Sequence, residues 1–159
     1  MRFVTPEDIA KEIARNAKQA ATKFVEQKTM ELQAQGLSNS KIKDFFTKHS
    51  KITTLVDEEY KIRVALSGSE RIEKIHSLLL DLIDEIAQIT QTGSLEIRWA
   101  VTNCAEFRAL NEYMLEMQRL GRPIDFTKLR FQTYTSDLNK IVSPCQNCDY
   151  VFGRLGIPH

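Results

Sequence analysis

The sequence predicts an α/β fold preceded by an N-terminal helical extension. Residues 60–66, 95–101 and 129–134 alternate apolar and polar side chains with the period of two that half-buried strands show. Residues 72–89 and 104–120 repeat apolar side chains at helical spacing instead. Strands that alternate with helices are typical of α/β domains, and 159 residues are enough for one such domain.

The N-terminal extension is predicted to contain two helices. Thr5 offers an N-cap hydroxyl before a first-turn proline, and apolar residues then recur at helical spacing until Gly36. A shorter helix is expected from Ser40 to His49. We therefore divide the chain into a helical extension, residues 1–51, and a main domain, residues 52–159.

The remaining elements are bounded by turn and capping residues. The strand over 60–66 ends at a Ser-Gly pair, and Gly93 follows the helix over 72–89. Residues 135–140 are predicted to form a loop, after which Ser143-Pro144 opens a short helix that ends at Gly153. No histidine has a cysteine or a second histidine at helical spacing, so we interpret all three histidines as structural. They are His49, His76 and His159.

The charge of +1 is unevenly distributed along the chain. Residues 1–51 carry ten Lys/Arg against six Asp/Glu, and residues 52–159 carry twelve against fifteen. The main domain therefore gives no electrostatic support for tight, sequence-independent binding to a duplex. We interpret the cations of the first helix as a solvated face, with a nucleic-acid contact as the alternative. They are Lys11, Arg15, Lys18, Lys23 and Lys28.

Hydropathy predicts neither a membrane span nor a signal peptide. No apolar run approaches the length that a bilayer needs. The first 15 residues carry scattered charges, so they lack the apolar core of a secretory signal.

The three cysteines, Cys104, Cys145 and Cys148, form the pattern that carries chemistry. All lie in the last 56 residues, and each is expected at the start of a helix. Three thiolates would hold one zinc ion and leave its fourth position for water, as in a catalytic site. A structural zinc knuckle, a redox Cys-x-x-Cys pair and three unrelated thiols are the alternatives.

Glu106 is the candidate catalytic residue. It follows Cys104 by two positions, so it can stand beside the metal without binding it and move protons. Three thiolates would leave the zinc centre formally at −1, which weakens its action on water. Helix N-termini at Cys104 and at the Cys145/Cys148 pair offset this, because free N–H groups stabilise thiolates there.

These motifs resemble those of a known superfamily. WAVTNCAEFRAL at 99–110 and SPCQNC at 143–148 are similar, in this order, to the Cys-Ala-Glu and Ser-Pro-Cys-x-x-Cys segments of cytidine deaminases. VALSGSERIEKIHSLLLDLIDEI, NCAEFRALNEY and PCQNCDYVFG more closely resemble the YwqJ-like deaminase domains of bacterial polymorphic toxins. The resemblance covers about residues 60–153.

The resemblance implies a cytidine-deaminase-like three-layer α/β/α sandwich with a short mixed sheet. It implies a zinc-dependent hydrolase that converts cytosine to uracil in nucleic acid by attack of zinc-bound hydroxide on C4. The net charge of −3 over residues 52–159 and the cost of extruding a base from a duplex favour single-stranded DNA or RNA as the substrate. A toxin effector of this kind would be delivered by a secretion system, would act in the cytoplasm of the target cell and would have a cognate immunity protein. The alternatives are a free cytidine or nucleotide deaminase and a non-catalytic, zinc-stabilised binding module.

The resemblance also suggests substrate contacts. Ala105 and Ser143 would bind the base edge through their backbone, and Asn103 and Trp99 would contact the nucleotide. Asn103 as a helix cap and Trp99 as a core residue are the alternatives. The aromatic residues on which a base could stack are Trp99, Phe107 and Tyr134.

The chain departs from free-cytidine deaminases at one position near the glutamate. The arginine that neutralises the zinc thiolates there is replaced by Phe107, and Arg108 follows one place later. We therefore expect Arg108 to point elsewhere.

Overall fold

The computed structural model describes residues 4–91 and 100–159, which form a mixed α/β structure as predicted. No helix in these ranges has both the length and the apolar character needed to cross a bilayer. In chain order, the helices and strands are α1 (Pro6–Ala34), α2 (Asn39–Lys48), β1 (Lys51–Val56), β2 (Ile62–Leu66), α3 (Ser77–Gln91), α4 (Ala105–Leu120), β3 (Arg130–Thr135), β4 (Ile141–Val142) and α5 (Gln146–Leu155).

The four described strands form a sheet in the order β2-β1-β3-β4. Thr53 in β1 lies opposite Ala65 in β2 and Thr133 in β3, and every pairing is antiparallel. The parallel pairing that a mixed sheet requires is therefore not among the described residues. The sheet places β1 at its centre.

Helices cover both faces of the sheet. Ile52 and Tyr134 point to one face, where they pack against Ala21 of α1. Leu55 points to the other face and belongs to the larger core, which also includes side chains of α3, α4 and α5. Alternate residues of β1 thus serve two cores, as the strand period of two requires. The described residues form three layers, helix on sheet on helix.

The central strand β1 is absent from the sequence prediction. Its residues 52–56 are all buried, so apolar and polar positions do not alternate as they do in a half-buried strand. The pair Thr53 and Thr54 also reads as polar, although both side chains are fully buried. The predicted division of the chain at residues 51 and 52 falls at the start of this strand and remains a prediction.

Several predicted bounds also differ from the structure. α3 begins at Ser77 and not near residue 72, and α5 continues past Gly153 to Leu155. β4 lies just beyond the predicted loop. The predicted strand over 95–101 lies mostly outside the described residues, and Val101–Asn103 form a turn of 3-10 helix.

Candidate metal centre

Two helix N-termini bring the three cysteines together. Cys104 is the N-cap of α4, Cys145 is the N-cap of α5, and Cys148 lies in the first turn of α5. The three Sγ atoms all lie within 4.8 Å of one another, and those of Cys104 and Cys145 are 3.1 Å apart. Residues separated by about 40 positions in the sequence thus form one thiol cluster.

The thiol cluster fits a zinc ion. In tetrahedral coordination with Zn–S bonds of about 2.3 Å, the sulfur atoms lie roughly 3.8 Å apart. This separation is compatible with three Sγ atoms that all lie within 4.8 Å of one another. Cys104 and Cys148 are buried, and Cys145 is half-buried. Within residues 4–91 and 100–159, no fourth His, Cys, Asp or Glu side chain joins these three cysteines. Three soft ligands would leave a fourth coordination position for a small molecule.

Hydrogen bonds within the cluster favour a thiolate at Cys145. Hydrogen bonds from the Cys104 and Cys148 thiols lower the pKa of Cys145 to about 2. The backbone N–H of Cys148 also donates to the Cys145 Sγ, at 3.4 Å. Hydrogen bonds with Cys104 and Cys145, together with burial, raise the pKa of Cys148. A thiolate at a helix N-terminus is the form that binds a metal.

Glu106 lies in the first turn of α4, next to the thiol cluster in the sequence. Its side chain is buried, and burial raises its pKa above the usual range for a carboxyl group. The Thr133 hydroxyl opposes this by donating to Glu106 Oε1 at 2.8 Å. Thr53 lies 2.6 Å from the same Thr133 hydroxyl. The Glu106 carboxyl group, whose pKa is raised, is therefore held against β1 and β3.

A pocket of about 640 Å³ opens over these groups. Such a volume is typical of small-molecule sites. Cys148 is fully buried and is not among the residues that line it, and Trp99 lies outside the described residues. The other predicted site residues all line the pocket: Asn103, Cys104, Ala105, Glu106, Ser143 and Cys145.

Two of the aromatic residues proposed for base stacking are buried elsewhere. Phe107 is 1% exposed and belongs to the core under α4. Tyr134 is 3% exposed and packs against α1 on the opposite face of the sheet. Neither ring lines the pocket, so the prediction that they stack on a base is wrong.

Arg108 holds the loop that follows β2. Its guanidinium donates to the carbonyl oxygens of Thr102 at 3.0 Å and Gly68 at 3.1 Å, and also to that of Glu70. Arg108 therefore points away from the thiol cluster, as its displacement by one position predicts. The wall of the pocket formed by residues 67–70 depends on this arginine.

Several residues that line the pocket were not among the predicted site residues. His49 is 8% exposed, with Nδ1 2.6 Å from the carbonyl oxygen of Ser67 and Nε2 3.1 Å from a carboxyl oxygen of Glu70. Thr133 supports Glu106 from a strand that was predicted, but its role was not. Only the position of Thr133 in the alternating pattern indicated that it faces α4. No local motif marks His49.

Comparisons with protein-family models, with curated proteins and with solved structures gave no match to this chain.

Proposed function

We propose that the chain is a zinc-dependent nucleobase deaminase that converts cytosine to uracil in single-stranded nucleic acid. One observation carries the proposal: the buried Glu106 carboxyl group lines the same pocket as Cys104 and Cys145, two members of the three-thiol cluster. Glu106 and the three cysteines resemble the glutamate and the zinc ligands of zinc deaminases in residue type and order.

The reaction would replace the exocyclic amine of the base with a water oxygen. Zinc held by Cys104, Cys145 and Cys148 would supply Lewis-acid activation of a water molecule at its fourth position. Glu106 would move the two protons of that water, one to N3 of the base and one to the departing amine at C4. The C4–O bond forms, the C4–N bond breaks, and uracil and ammonia leave.

The features of Glu106 suit this proton transfer. Burial raises its pKa toward neutrality, where a carboxyl group exchanges protons most effectively. The Thr133 hydroxyl fixes Oε1 of this carboxyl group at the wall of the pocket. A residue placed in this way acts on protons without ligating the metal.

A single strand is the proposed substrate form, because a base must leave its stack to enter a closed pocket. Extrusion from a duplex costs a few kcal/mol that a single strand does not require. The net charge of −3 over residues 52–159 offers little to offset that cost on a duplex. The proposed role is a toxin effector that acts in the cytoplasm of a target cell and is neutralised by an immunity protein.

The test is a deamination panel with single-stranded DNA, duplex DNA, RNA and free cytidine. We expect cytosine-to-uracil conversion by the wild-type chain to be fastest on a single-stranded polymer and absent with Glu106→Ala. Turnover confined to free cytidine would support the free nucleoside deaminase instead. An inactive wild-type chain that binds one zinc ion would contradict the proposal.

The position of the cysteines also favours a second candidate, a non-catalytic zinc-stabilised module. Cys104 caps α4 and Cys145 caps α5, so a metal would cross-link two helices of the large core. Such a module predicts that a biological effect of the chain survives Glu106→Ala and disappears with the cysteines.

A further inference from the structure

Residues of the N-terminal segment form one wall of the pocket that contains Glu106. Lys48 ends α2 and Lys51 begins β1, and both line the pocket with the intervening His49 and Ser50. The Lys51 backbone N–H donates to the Ser67 hydroxyl at 3.0 Å, which fixes this wall to the loop after β2. Two cationic side chains are therefore built into the site from outside the Cys-Ala-Glu and Cys-x-x-Cys motifs.

Lys51 interacts electrostatically with Glu106 but is not held in an ion pair with it. Within the ranges that the structure describes, neither ammonium group has a carboxylate at ion-pair distance. Glu70, which also lines the pocket, instead pairs with His49 at 3.1 Å and with Arg108 at 3.8 Å. The wall thus presents cations that an anionic ligand can reach.

Hydroxyl groups complete this side of the pocket. The serines among the lining residues are Ser50, Ser67, Ser69 and Ser143. Ammonium and hydroxyl groups together are the donors that bind phosphate oxygens. A neutral nucleoside has no group that would use two ammonium ions.

We propose that Lys48 and Lys51 bind a phosphate group of the substrate, so that the pocket takes a nucleotide in preference to a nucleoside. The identity of the base rests on the proposed deaminase function, but the phosphate does not. The phosphate belongs either to a mononucleotide or to the backbone of a strand. Both sources present the same oxygen atoms to the two lysines.

The cations of α1 lie outside this pocket. Lys18 donates to the carbonyl oxygen of Leu138 and lies 4.6 Å from the Tyr134 ring centre. Lys28 pairs with Glu31 at 3.6 Å. No cation of α1 lines the pocket that contains Glu106. We therefore assign phosphate recognition to Lys48 and Lys51 and not to the cations of α1.

The experiment measures dissociation constants of the full chain for cytidine, cytidine 5′-monophosphate and a short single-stranded oligodeoxycytidylate. The variant carries Lys48→Gln with Lys51→Gln, and the matched control is Lys43→Gln, which removes an exposed charge of α2 outside the pocket. We expect the double variant to bind both phosphate-bearing ligands at least about tenfold more weakly and cytidine within about twofold. The control should leave all three constants unchanged.

A second measurement separates a lost charge from a damaged fold. Lys48→Arg with Lys51→Arg should retain the affinity for cytidine 5′-monophosphate, and circular dichroism should show native structure in every variant. For the oligonucleotide, the slope of log Kd against log salt should fall by about 0.7 per lysine removed. A loss for the oligonucleotide alone would assign the lysines to the strand backbone.

Two outcomes would overturn the inference. One is a wild-type chain that binds neither cytidine 5′-monophosphate nor the oligonucleotide better than cytidine. The other is a double variant that loses affinity for cytidine and its phosphate equally. A lysine-dependent preference for phosphate without any cytosine conversion would instead sink the proposed deaminase function and leave the phosphate site standing.

Discussion

The Thr133 hydroxyl donates a 2.8 Å hydrogen bond to Glu106, and this contact ties the candidate catalytic residue to the middle of the sheet. Thr53 lies opposite Thr133 on the neighbouring strand, with the two hydroxyl oxygens 2.6 Å apart. Since Thr133 gives its proton to Glu106, Thr53 donates to Thr133. Two hydroxyl groups, one on β1 and one on β3, thus fix the position of Glu106 Oε1.

Thr133→Val should change how activity depends on pH. The hydroxyl stabilises the carboxylate form, so removing it raises the pKa of Glu106 beyond the effect of burial. If deprotonated Glu106 accepts the proton, activity will then fall at a higher pH than in the wild type as the solution is acidified. The measurement is kcat/KM for deamination against pH.

Thr54→Val is the control, because Thr54 is equally buried but bonds to the carbonyl oxygen of Gln132. An unshifted acidic limb would contradict the role of Thr133.

Zinc content should follow the three cysteines. We expect one zinc ion per chain, and replacement of Cys104, Cys145 or Cys148 by Ser should reduce the zinc content measured by elemental analysis. Chelation should also lower the melting temperature, because a metal that binds the folded state stabilises it. Full zinc content after replacement of all three cysteines would place the metal elsewhere.

Glu106→Gln should abolish turnover and keep the metal. The substitution preserves the size of the side chain and its capacity to accept from Thr133, but it cannot take up a proton. A loss of about 10² to 10⁴ in kcat is expected for removal of a general acid–base group. Zinc content and the unfolding midpoint should remain near those of the wild type. Residual activity within a few fold of wild type would remove Glu106 from the mechanism.

The thiol cluster could be anticipated because its signals are local. Cys104 and Cys145 each stand at a helix start, and the same residues that predict the caps also indicate the chemistry. The position of Lys48 and Lys51 at the pocket has no such local signal. Lys51 belongs to a central strand buried on both faces, and its place at the pocket follows from antiparallel pairing with residues some 80 positions away. Long-range register of this kind is not encoded in the spacing of neighbouring residues.

Arg63→Met should lower the free energy of unfolding by about 3 kcal/mol, because it leaves the buried Asp57 carboxylate without the cation that neutralises it. The guanidinium lies 2.9 Å from Asp57 and 2.8 Å from Glu116, and 4.7 Å from the Tyr113 ring centre. Urea denaturation gives the value. The exposed Lys61, 3.5 Å from Glu116, is the matched control, and Lys61→Met should change stability by less than about 0.5 kcal/mol. Equal effects of the two substitutions would show that burial of the network does not matter.

Gly68→Ala should weaken substrate binding, because the loop after β2 has no room for a side chain. A Cβ atom at residue 68 would lie 2.8 Å from His49 Nδ1 and from a carboxyl oxygen of Glu70. Glu70 is exposed and can move, but the buried His49 ring is held by the Ser67 carbonyl oxygen. The loop must therefore shift at the wall of the pocket.

We expect a several-fold rise in KM from this shift and a loss of about 1 kcal/mol or more in stability. Gly153→Ala is the matched control. It lies within α5, where an added Cβ meets no atom within 4 Å, so it should gain about 0.5–1 kcal/mol from reduced chain entropy. The two substitutions add the same methyl group, and only their surroundings differ. If Gly68→Ala left both KM and the unfolding midpoint unchanged, the His49–Glu70 contact would not define this wall of the pocket.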